Sequence, residues 1–147
     1  MTARTDAVPR AVLAYGVLGI APFWSLPVVA LLAPNYTVVA GAIEAVYAAL
    51  ILSFLGGARW GLALQHATPN PVTVGLAMTP TLTGLAALVL MHGQVRGQLL
   101  ALAGALTLSW AWDLCARDLP PWYGRLRSGL TLGAVCGLCV GALQVAP

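Results

Sequence analysis

Glu44 is the one acid set well inside a hydrophobic run, in GAIEAVYAAL, and any chemistry within the apolar part of this chain would start there. An ionised acid at the centre of a bilayer costs at least about 2.5 kcal/mol, so intramembrane acids usually face the protein interior and mark proton or ion pathways. Glu44 lies about 10 Å along its run at helical rise, which reduces that cost. Two expectations follow: a proton or ion relay, or a core residue that is protonated or paired. The nearest partners at the same end of the molecule are His92 and Arg96.

A second constellation is Arg59 with Asp113, each near the end of its own apolar run. The short route for both side chains is to meet each other or to reach water. An ion pair between two helices is the expectation. Asp118 has Arg117, Arg125 and Arg127 close by in sequence. Cys136 and Cys139 form a C-x-x-C, a spacing that can hold soft metals or cycle between thiol and disulfide. In the middle of an apolar run, with no histidine beside it, the pair reads as small packing residues instead. His66 and His92 fall in loops on opposite faces and cannot share a metal. No Ser/His/Asp set, phosphate-cradling glycine loop or paired intramembrane carboxylates can be assembled. The expectation is a protein that is not an enzyme, with no catalytic residues, metal or cofactor.

The elements that position these residues are set by composition. Of 147 residues 60% are hydrophobic and 7% charged, where a soluble domain carries roughly 25% charged. Most of the surface must therefore meet lipid. Five apolar runs follow in order, at approximately 11–32, 37–64, 72–91, 97–114 and 128–145. A run of about 20 residues covers roughly 30 Å as a helix, the thickness of a hydrocarbon core. The expected fold is a single all-α transmembrane domain, residues 1–147, forming a bundle of five helices. Pro22, Pro27 and Pro80 should kink or break the first and third helices, with Thr79, Thr81 and Thr83 placed to satisfy carbonyls freed by Pro80. Pro120-Pro121 should keep residues 115–127 a loop.

All seven bases are arginine, and the chain is rich in Ala, Gly and Leu, a composition suggesting a GC-rich bacterial genome. Six arginines (4, 10, 59, 117, 125 and 127) fall on one face and only Arg96 on the other. The positive-inside rule then puts the N-terminus in the cytoplasm and the C-terminus on the opposite side of a bacterial inner membrane. Trp60, Trp110, Trp112, Trp122 and Tyr123 lie near that same face, as an interfacial belt or a cluster facing a partner. There is no basic stripe for nucleic acid. Gly129, Gly133, Gly137 and Gly141 recur every fourth residue of the fifth run. On a helix they make a smooth stripe for close helix packing, within the chain, with a membrane-protein partner or in a homo-oligomer.

The stretches YGVLGIAPF (15–23), ILSFLGGARWG (51–61), WAWD (110–113) and PPWYGRLRSGLT (120–131) resemble the DUF3429 family of small polytopic membrane proteins, which includes the transmembrane protein 69 group. Ser53, Gly56, Gly57, Trp60, Gly61, Asp113, Trp122, Tyr123 and Arg127 match its pattern. The resemblance implies several membrane helices in a bacterial inner or mitochondrial membrane and carries no activity with it. Together these features point to a structural or accessory subunit of a membrane assembly. The alternative is a small transporter or proton conductor that uses Glu44, with its proline-bearing helices lining the path.

Overall fold

The computed structural model describes residues 7–115 and 119–145. Arg4, Arg117 and Asp118 lie outside the described residues. Within them the chain is all helical: α1 (Arg10–Leu32), a short 3-10 turn (Pro34–Tyr36), α2 (Thr37–Ala63), α3 (Pro71–Leu90), α4 (Val95–Leu114) and α5 (Pro121–Gln144). Four of these segments, α1, α2 with its preceding turn, α3 and α5, are long and apolar enough to cross a membrane. α4 is as long as α3 but more polar. Its Gln98, Ser109 and Asp113 are buried against neighbouring helices, so lipid does not have to accommodate them.

Prolines start helices here as well as lying inside them. Pro71 stands at the first position of α3, and Asn70 caps that helix by accepting the Val72 N–H at 2.9 Å. Pro121 does the same for α5. A first-turn residue has no helical acceptor for its N–H, and the fixed φ of proline suits that position. The expected loop over 115–127 is therefore corrected, since α5 begins seven residues earlier than the sequence suggests. Gly93, at φ +83°, reverses the chain between α3 and α4.

The interior prolines sit within continuous helices, so of the two expected outcomes, a kink or a break, the break does not occur. α3 runs through Pro80, and the Thr79 hydroxyl donates to Leu76 O at 2.7 Å, the carbonyl that Pro80 leaves without a donor. α1 runs through Pro22 and Pro27. Tyr47 of α2 donates to Gly19 O at 2.9 Å, and Trp24 donates to Gly133 O of α5 at 3.1 Å.

α2 is the axle of the bundle and touches all four other helices. Around it α3 packs on α4, α4 on α5 and α5 on α1, so the ring is open between α1 and α3. The core is small and aliphatic: Leu52, Leu99, Leu102, Leu106, Leu138 and Phe23 are fully buried, with Ala45 and Ala48 letting backbones approach. In the gap of the ring, Val39, Ile43, Val46, Leu50 and Phe54 stand 49–69% exposed at helical spacing. Large apolar side chains cover much of the remaining outer surface, which water would not tolerate and lipid does.

Candidate functional site

The polar centre of the molecule is a three-helix clasp at the end where α2 and α4 finish and α5 begins. Asp113 projects from the last turn of α4, and Ser109 lies one helical turn before it on the same face. Arg59 Nε of α2 reaches Asp113 Oδ1 at 2.8 Å, and Arg127 Nε of α5 reaches Oδ2 at 2.8 Å. Arg127 Nη1 donates to Thr131 Oγ1 at 2.7 Å and Nη2 to Ser109 Oγ at 3.5 Å. Arg59 Nη2 donates to Trp112 O at 3.3 Å, and its guanidinium sits 4.8 Å from the centre of the Trp112 ring. Side chains are only 12%, 7% and 3% exposed for Arg59, Arg127 and Asp113. A pair buried this deeply survives only with good geometry and further hydrogen bonds, and the clasp has both.

Arg127, Thr131 and Ser109 were not paired with Asp113 by sequence reasoning. The signal was present. Once Pro121 is taken as a first-turn proline, Arg127 and Thr131 become i and i+4 on one face of α5, as Ser109 and Asp113 are on α4. Trp110 adds a second tie between the same helices, donating to Ser128 Oγ at 2.9 Å. Trp122 stacks edge-on with Tyr123 at 6.2 Å, and Trp60 is exposed.

Glu44 lies at the opposite end of α2 and is 1% exposed. Among the described residues it makes no ion pair, so His92 and Arg96 are not its partners. Its carboxylate faces Gly141 of α5, whereas His92 is exposed in the turn after α3. Oε1 has no hydrogen-bond partner, and neither has Gln144 Oε1. Both side chains border one crevice, shared with Pro27 and Thr37, that has no room for a water molecule.

The glycines divide by what they face. Gly133, Gly137 and Gly141 lie against Ile20, Phe23 and Glu44, so three members of the α5 stripe are filled from within the chain by α1 and α2. Gly129 faces open space. Of the packing modes expected for the stripe, these three glycines take the one within the chain. In ILSFLGGARWG, Gly56 packs on Ala77 O of α3, with Ser53 nearby accepting from Thr81 at 3.3 Å. Gly57 and Gly61 have nothing beside them and prolong the exposed stripe of α2. Cys136 is exposed and Cys139 partly so, which corrects their reading as packed interior residues.

Two larger spaces complete the picture. A cavity of about 540 Å³ lies between α1, α2 and α5, apolar except where Tyr123, Arg127 and Thr131 line it. A second space of about 450 Å³ is bordered by Arg59, His66, Thr68, Asn70 and Thr73 at the α2–α3 connection.

The family model described as "Protein of unknown function (DUF3429)" matches residues 8–143. The chain is 32% identical over 139 residues to Transmembrane protein 69 of Xenopus tropicalis, covering 92% of this chain and 54% of that protein. It is 29% identical over 136 residues to Transmembrane protein 69 of Mus musculus, covering 90% of this chain and 55% of that protein. It thus spans about half the length of these relatives. No solved structure matches it. Arg59, Asp113 and Arg127 come from three separate family-like stretches that the fold joins in one clasp, and with the family model covering nearly all of its length the chain belongs to the DUF3429 family.

Proposed function

We propose that this membrane protein is a non-enzymatic accessory subunit that docks a transmembrane helix, from a partner or a second copy, on the open face of α2. The observation that carries this is the uncovered line from Val39 to Phe54 continued by Gly57 and Gly61. Two glycines four residues apart let a neighbouring backbone come close, which is how helices associate where lipid removes the hydrophobic drive. The one carboxylate of the clasp is held on both oxygens by arginines from two helices, which suits a rigid support better than a reaction centre. A bacterial inner membrane with the N-terminus in the cytoplasm remains part of the proposal, supported by the arginine-only composition and the arginine bias.

The test is purification from native membranes in mild detergent. Wild type should bring down a partner or form a defined oligomer, and Gly57→Leu with Gly61→Leu should abolish it without lowering the melting temperature. A wild-type monomer with no partner would reject the proposal.

One observation favours a second reading, proton conduction through Glu44: its enclosed oxygen has no partner. The unbroken α1 and α3 and the dry crevice weigh against it, because transporter sites are typically built on broken helices lining a cavity. Liposomes carrying wild type or Glu44→Gln decide the point; equal proton flux removes it.

A further inference from the structure

The clasp contains two guanidinium groups and one carboxylate among the described residues, which leaves one positive charge in excess in a buried place. A buried charge without compensation is costly, and an anion beside it would relieve that cost. Arg127 uses three of its five N–H groups, on Asp113, Thr131 and Ser109, leaving two. The Thr131 hydroxyl accepts from Arg127 and keeps its own proton to donate.

Arg127 and Thr131 also line the cavity of about 540 Å³. Its volume is that of a small-molecule site, and an apolar wall with a few converging polar groups is the usual form of one. A transmembrane helix is far too large for it. The rest of the lining is apolar, from Ala11 and Tyr15 at the start of α1 to Phe23 and Ala134 midway through the bundle. Phe54 and Tyr15 are exposed on the outer surface at its edge, so its entrance faces the lipid phase. A ligand reaching it would come from the bilayer, carry an apolar tail and present a negative head to Arg127.

We propose that the cavity between α1, α2 and α5 binds a single-chain anionic lipid, its acid group held by Arg127 and Thr131 and its tail running toward Phe23. Arg59 does not line this cavity, so the head is placed by α5 alone. Inorganic anions share the head chemistry and lack the tail.

The experiment uses the full chain in nanodiscs of zwitterionic phosphatidylcholine at alkaline pH, with dibromostearic acid as a quencher of tryptophan emission. The expected result is a saturable phase of quenching that oleate reverses, while oleyl alcohol and the methyl ester of the probe bind at least about tenfold more weakly, the size of one charge-assisted hydrogen bond. Leu130→Trp, which fills the cavity, should remove the saturable phase for every probe. Thr131→Val should weaken the acid severalfold and leave the ester unchanged. Equal affinity for acid and ester overturns the anionic head. Displacement by inorganic phosphate as effective as by oleate overturns the lipid. Quenching that never saturates, or that survives Leu130→Trp, overturns the site. The acid-to-ester comparison is made on wild type and so does not depend on any variant folding.

Discussion

Asp113 is the hub of the clasp, since each of its oxygens serves a different helix. Asp113→Asn would leave two buried guanidinium groups without an anion and should destabilise the protein by about 3–5 kcal/mol, read as thermal unfolding in detergent. Arg59→Met should cost less, because Arg127 still neutralises the acid. For the same reason, exchanging charges through Arg59→Asp with Asp113→Arg should not restore stability, as the new arginine would face Arg127. Full rescue would show that Arg127 does not share the carboxylate. The sequence made the first partner legible, from two lone charges at matching depth, but not the second, because Arg127 read as a loop residue. Glu44 was legible as an outlier, yet which helix it faces depends on rotation about α2, which an unbroken apolar run does not encode. Glycines raise the same issue of facing. Gly56→Ala and Gly137→Ala put a methyl against backbone carbonyls of Ala77 and Phe23, and each should cost about 1–3 kcal/mol by overpacking. Gly57→Ala and Gly129→Ala meet open space and should leave the melting temperature nearly unchanged.

At the level of the element, apolar length locates α1 to α4 to within a residue or two, because lipid thickness leaves little choice of span. The start of α5 escaped that logic. The tandem proline ends any incoming helix, but its second member is also suited to open the next, and only the hydrogen bonding of the first turn tells the two apart. Pro80 illustrates how a helix survives an interior proline. Thr79 supplies the donor the backbone lacks, so Thr79→Val should cost roughly 0.6–1.7 kcal/mol, the range of hydrogen bonds between membrane-embedded groups, while Thr79→Ser should not. In a Pro80→Ala background the backbone N–H returns to Leu76 O, and the same Thr79→Val change should cost almost nothing. Unequal chemistry would show as an additive cycle, which would mean the hydroxyl stabilises something other than the freed carbonyl.

For the whole molecule, an axle helix in an open ring explains why α2 carries both a fully buried acid, Glu44, and an exposed apolar face: three of its sides are covered and the fourth is not. That arrangement is invisible to periodicity, since in lipid a buried helix face and an exposed one are equally apolar. The end of the bundle that holds the clasp is also the end rich in arginine, and the two facts are linked. Asp113 neutralises part of the charge of Arg59 and Arg127 but does not take them out of the topological bias, which counts bases near helix ends and gives acids little weight. A crossing by α3, one of the four helices long and apolar enough to span, puts the α2–α3 and α3–α4 connections on opposite sides, and His66 and His92 are exposed on them. After Cys115, Cys136 and Cys139 are changed to serine, His92→Cys in intact cells should react with a membrane-impermeant maleimide. His66→Cys should react only after the membrane is opened. Labelling of both in intact cells would mean that α3 does not cross. The reverse pattern would mean that the clasp faces outward, and that its excess positive charge is held on the outer side against the arginine bias.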